Sequence, residues 1–159
     1  MTLVELPSPH PVSFSHRGDY SAEATGRPVV EVEFATVDGL GVLLGSYETG
    51  VMVDSGAART VLGHNVAAEL GLGDLSSYPL ALLQGAVPGS ELPCSAVEVL
   101  ARLCGVWIPL RALFPRDDVP VRHLLGRDDV FDRVRFGFGG GERAVYAGVG
   151  PMAHKTPTP

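Results

Sequence analysis

The chain predicts an all-β domain with one or two short helices, on three observations. Val and Leu gather in brief runs, 20 glycines and 13 prolines punctuate those runs, and segments at helical period are scarce. Together they describe short strands joined by turns. At 159 residues the chain forms one domain, large enough for a core without disulfide support.

Residues 1–27 carry Pro7, Pro9, Pro11, Gly18 and Gly26 and read as a flexible N-terminal arm, or as a strand that pairs with a partner subunit. Residues 28–34 alternate apolar and polar, the period of a half-buried strand. A turn region over residues 39–45 leads to a second strand that finishes at Asp54. Next, Asn65 is placed to cap a short helix through Val66-Ala67-Ala68-Glu69-Leu70, which Gly71 stops. His64, at its start, reads as a solvated surface residue.

Residues 78–84 and 95–103 form two strands around Gly85-Ala86-Val87-Pro88-Gly89, hence a hairpin. Residues 105–114 form another strand, with Trp107 expected in the core. Asp117 and Asp118 then stand in a polar loop and do not make a metal site. Leu124-Leu125-Gly126 re-enters the core, residues 127–131 make a helical turn, and residues 134–138 alternate as a strand. Gly139-Gly140-Gly141 turns that strand into Ala144-Val145-Tyr146-Ala147; because a strand follows it, this is a hairpin turn and not a phosphate loop. Residues 150–159 read as a disordered tail.

Composition narrows the function classes. The net charge is −6 with both signs dispersed, so no basic face points to nucleic acid or to anionic lipid. No segment reaches the length of a membrane span, and residues 1–20 contain no signal-peptide run. None of the five histidines is spaced as a metal ligand, and neither metal nor cofactor is expected. Cys94 and Cys104 read as reduced thiols of a soluble cytoplasmic protein, with an edge-strand disulfide as the alternative.

One stretch asks for chemistry. In Val51-Met52-Val53-Asp54-Ser55-Gly56-Ala57 an apolar strand runs into a tight turn, and another apolar run leaves it through Thr60-Val61-Leu62. A carboxylate with apolar flanks needs a reason, since buried charges are paired or functional. Gly56 allows the turn and Ser55 offers a hydroxyl. An ordinary Asp-Ser-Gly turn, with Asp bonding its own backbone, is the competing reading.

Hydrophobic-Asp-Ser-Gly-Ala, followed later by Leu124-Leu125-Gly126-Arg127-Asp128, resembles the paired motifs of the retropepsin-like aspartic proteases. The resemblance spans residues 28–149 and is that of a single-domain, bacterial-type member. It implies a closed or partly open β-barrel of the acid-protease fold and makes Asp54 the catalytic residue. Ser55, Gly56 and Ala57 would form its active-site loop, and Gly126, Arg127 and Asp128 would support it from beneath. Gly85, Ala86, Val87, Pro88 and Gly89 would form a flap over substrate, although Pro88 stands where the family often has glycine. Arg127 would brace the loop through an acid after the catalytic turn, but Ala58 and Arg59 occupy that place, leaving Asp128 or Asp132 to compensate.

Peptide hydrolysis by carboxylates needs two of them, one activating water while the other protonates the carbonyl oxygen. This chain holds one Asp-Ser-Gly and is about half the length of a two-lobed enzyme. The implied enzyme is therefore a homodimer with two copies of Asp54 facing each other across its axis, cutting extended peptide or unfolded protein. Two other readings compete: a catalytically inactive dimerisation or peptide-binding module on the same fold, and a small β-barrel unrelated to proteases.

Overall fold

The alternation of residues 29–37 builds the first wall of the barrel. In β2 (Val29–Val37) the side chains of Val32 and Phe34 point inward while Glu31 faces water. Strand β2 pairs antiparallel with β3 (Leu43–Val53) through a loop in which the Asp38 carboxylate accepts from the amides of Leu40 and Val42, both at 2.8 Å. The computed structural model describes residues 14–85 and 89–149.

Three further hairpin strands follow the same logic. β5 (Leu80–Gln84) pairs with β6 (Glu91–Leu103), and β6 pairs with β7 (Val106–Pro115). The β6–β7 turn is two residues long, Cys104 and Gly105, both left-handed, at φ 52° and 77°. That backbone twist suits a tight hairpin, and it places a cysteine where Asn is the usual choice. Two short strands, β4 (Thr60–Val61) and β8 (Leu124–Leu125), complete the set.

Hydrogen-bonded order runs β2-β3-β8-β4-β7-β6, and pairing of β6 back to β2 at Phe34↔Ala101 closes the ring. Strand β5 extends from β6 as an edge. Val32, Phe34, Val51, Leu62, Phe114 and Leu125 fill the interior, each fully buried. This is the all-β barrel with short helical elements that the sequence predicts. The helical elements are α1 (His64–Glu69) and a single 3-10 turn at Leu75–Ser77. No helix among the described residues is long and apolar enough to cross a membrane.

Several expectations need correction. A packed element does precede Arg27: β1 (His16–Asp19) pairs with β10 (Ala144–Val149), which pairs with β9 (Val134–Gly139), making a second sheet in order β1-β10-β9. Tyr20 behind it is buried. Residues 16–27 are thus no loose arm; residues 1–13 and the expected tail, 150–159, lie outside the described residues. Trp107 is not core but 44% exposed, with the Arg102 guanidinium 5.9 Å above its ring. Residues 127–133 make successive turns rather than a helix, because Asp129 takes a left-handed φ of 68°.

Asn65 does not cap α1. Gly63 holds the cap position and makes no side-chain bond there, while the Asn65 carbonyl oxygen faces His123 Nε2 at 3.3 Å. His64 is partly buried, its Nε2 2.6 Å from the Pro115 carbonyl. At the other end Gly71 stops the helix as expected: at φ 69° it lets Leu72 N–H reach Ala67 O and its own N–H reach Ala68 O.

The helix lies directly on β3. Thr36 donates its hydroxyl to Leu70 O at 2.7 Å, and a Cβ at Gly45 would fall 2.6 Å from Glu69 O. Gly45→Ala therefore pushes the end of α1 off the barrel and costs about 1–3 kcal/mol of stability, read by urea unfolding. An unchanged unfolding midpoint would contradict this packing.

Candidate active site

Asp54 follows the last residue of β3, and its position is set by β8. Strand β8 runs parallel to β3 at Met52↔Leu124 and Val53↔Leu125, and antiparallel to β4 at Val61↔Leu124. It is thus wedged between the strand that enters the Asp-Ser-Gly turn and the strand that leaves it. Asp54 N–H continues the ladder by donating to Leu125 O at 3.1 Å. The turn itself is an Asx turn, with Gly56 N–H donating to Asp54 Oδ1 at 2.8 Å and Ala57 N–H donating to Asp54 O at 3.2 Å.

The residues after β8 grip the other half of the loop. Arg127 N–H donates to Ala57 O at 3.0 Å and Asp128 N–H to Ala58 O at 2.9 Å. Gly126 N–H donates to the buried Thr60 hydroxyl at 3.2 Å. A Cβ on Gly126 would fall 2.3 Å from the Arg59 backbone, so only glycine lets the two segments come this close. The two sequence motifs therefore meet. Asp54 is left half-buried, with Ser55 and Gly56 exposed beside it.

The expected arginine brace is replaced by its mirror. Arg127 contributes its backbone, while among the described residues no ion pair engages its exposed side chain. The ion pair across this junction is instead Arg59 Nε to Asp128 Oδ2 at 3.3 Å, with the cation on the Asp54 loop and the carboxylate on the supporting turn. Both partners are about half exposed, and such pairs contribute about 0–1 kcal/mol. Asp128 pairs with Arg59, and among the described residues neither Asp128 nor Asp132 is ion-paired with Arg127.

Across from the loop stands the β5–β6 hairpin, where Gly85 N–H donates to Ser90 O at 2.8 Å. Of the flap residues, Gly85 and Gly89 are described, the latter at φ 83°; Ala86, Val87 and Pro88 lie outside the described residues. Between the hairpin and the Asp54 loop lies a cleft of about 740 Å³. Gly56 and Ala57 form one side, Leu80 and Leu82 of β5 another, and Leu113 and Leu124 also line it.

His123 stands at the head of β8. Its carbonyl accepts from Met52 N–H, and its ring lies 3.3 Å from both the Thr49 hydroxyl and Asn65 Oδ1. Burial lowers its pKa below the ordinary imidazole value, opposed by a bond to the Gly50 backbone. The sequence marks neither His123 nor Thr60 for a role, since each is simply a polar residue between an arginine and a short apolar run. Burial raises the pKa of Cys94 and of Cys104, keeping both as thiols and poor nucleophiles. Both are free, and no group of three His, Cys, Asp or Glu among the described residues could hold a metal.

No protein-family profile and no curated protein matches the chain. Among solved structures it is similar to the EIAV protease in complex with an inhibitor, at 24% identity over 72% of this chain and 93% of that one, with a TM-score of 0.43.

A pH dependence follows from His123. Because its folded pKa is depressed, the unfolded chain takes up the proton first; stability is lost as pH falls through about 6.5 and levels off below the folded value. In thermal melts from pH 8 to pH 5, His123→Gln is expected to flatten that decline. An identical slope in the variant would contradict the assignment.

Proposed function

We propose that the chain is a single-domain retropepsin-like aspartic endopeptidase of the cytoplasm, acting as a homodimer in which two Asp54 carboxylates share the activation of one water. One observation carries the reading: the Asp54 loop is gripped from both sides by the segment 124–128, while Asp54 stays partly exposed and the next residues of its loop, Gly56 and Ala57, line a peptide-sized cleft. Rigid support with solvent access is what a catalytic carboxylate needs, because misplacement by an ångström costs rate steeply.

The chemistry requires a second carboxylate, and a twofold axis beside the loop would supply the partner's copy. Two carboxylates at hydrogen-bond distance hold one proton between them, so one takes a proton from water while the other gives one to the carbonyl oxygen. Ser55 would bond across the axis. The outer edge of β5 offers unpaired backbone groups along which an extended peptide could add as a strand, and the Gly56 carbonyl would accept from the peptide backbone. No cofactor enters this reaction. The free thiols of Cys94 and Cys104 support a reducing, cytoplasmic setting.

A second reading rests on the 2.8 Å bond from Gly56 N–H to Asp54 Oδ1, an ordinary turn bond, and on the absent acid at Ala58 and Arg59. On it, the fold is an inactive dimerisation or peptide-binding module.

Cleavage of an unfolded protein, followed from about pH 3 to pH 7, separates the two. Wild type is expected to cut, and Asp54→Asn to lose about a thousandfold or more in kcat/KM while keeping its fold. If wild type cuts at no pH while remaining a folded dimer, the module reading replaces the enzyme.

A further inference from the structure

The cleft lined by Gly56 and Ala57 of the Asp54 loop has an unusual charge for a chain of net charge −6. Its lining comprises the apolar side chains of Leu80, Leu82, Leu113 and Leu124 together with two cations, Arg59 and Arg111, and includes no carboxylate. Arg59 leads from the Asp54 loop into β4 and Arg111 sits on β7, and because these two strands pair in parallel at Thr60↔Ala112 they bring the two arginines side by side on the same cleft.

Both cations also border a second recess of about 560 Å³, where Asp128, Asp129 and Asp132 stand with Arg133. These carboxylates, together with Glu98, line this recess and not the cleft. Each guanidinium is only loosely engaged. Arg111 lies 3.6 Å from Glu98, which is 82% exposed, and Arg59 meets Asp128 through Nε alone. Among the described residues neither makes a further side-chain hydrogen bond. Such exposed pairs are weak and exchange easily for a better-placed carboxylate, and a guanidinium takes a carboxylate by two parallel N–H bonds where an ammonium cannot.

We propose that this cleft selects peptides in which an acidic side chain stands next to bulky apolar residues, with Arg111 and Arg59 reading the carboxylate and the leucines holding the apolar neighbours. The inference rests on reading the cleft as a peptide site, and it adds a substrate class to that reading. In this proposal the two cations act on specificity rather than on the reacting carbonyl.

The test uses binding, so that it does not depend on turnover. A labelled synthetic peptide with Leu-Leu-Glu at its centre, and its Leu-Leu-Gln counterpart, are titrated into the full-length Asp54→Asn protein by fluorescence anisotropy. The Glu peptide is expected to bind about tenfold more tightly, the effect of one charge-assisted contact. Adding Arg111→Gln should close that gap. Adding Glu98→Gln, which removes an exposed competitor and leaves the fold alone, should widen it. Equal affinity for the two peptides would overturn the charge selection while leaving the peptide cleft intact. If neither peptide bound, the peptide-site reading would fall and this inference with it.

Discussion

Everything at the Asp54 end of the barrel depends on how closely the chain passes itself at Gly126. With a Cβ there standing 2.3 Å from the Arg59 backbone, any side chain would drive β8 out from between β3 and β4. Were β8 displaced, Asp54 would lose its bond to Leu125, and the Ala57 and Ala58 carbonyls would lose their donors. Those bonds tie the loop to residues 125–128, so without them the loop would open rather than persist in place. The Thr60 hydroxyl bonded to Gly126 N–H completes the lock.

Backbone hydrogen bonds carry that lock, which explains how its charges could be exchanged. Arg59 and Asp128 bridge the same junction that Arg127 of the second motif was expected to bridge, with the signs reversed. An exposed ion pair contributes little, so either polarity can serve provided the amides of Arg127 and Asp128 keep their acceptors. The reversal has a consequence for the cleft. It puts a cation on the Asp54 loop and leaves the carboxylates of Asp128, Asp129 and Asp132 facing a separate recess.

What the sequence revealed, and what it hid, divides by mechanism. Alternation marked β2 and β6 because their inward residues pack on the core and their outward ones are Glu31, Glu98 and Arg102. Gly71 was legible as a helix stop because its left-handed backbone is a local requirement. Strand β1, by contrast, reads His-Arg-Gly-Asp and carries no apolar signal at all; it is a strand solely because β10 offers it an edge. Trp107 was misplaced because its strand alternates with Ile108 and Leu110 inside, which turns the indole outward beneath Arg102. The Asp54 and Leu-Leu-Gly-Arg-Asp motifs could be matched by pattern, yet the Arg59–Asp128 pair and the place of Arg111 on the cleft wall arise from tertiary contact and leave no trace in spacing.

The claim on which the functional reading turns is that one Asp54 is insufficient and that a second copy completes the site. Subunit mixing tests it most directly: wild type at fixed concentration is equilibrated with increasing Asp54→Asn chain, and peptide cleavage is followed. If the site spans two copies, mixed dimers are dead, and an equal amount of variant should lower activity to about half, with further loss as the variant is raised. Activity that stays constant under excess variant would show that a single chain carries the whole site, and would contradict the shared pair of carboxylates.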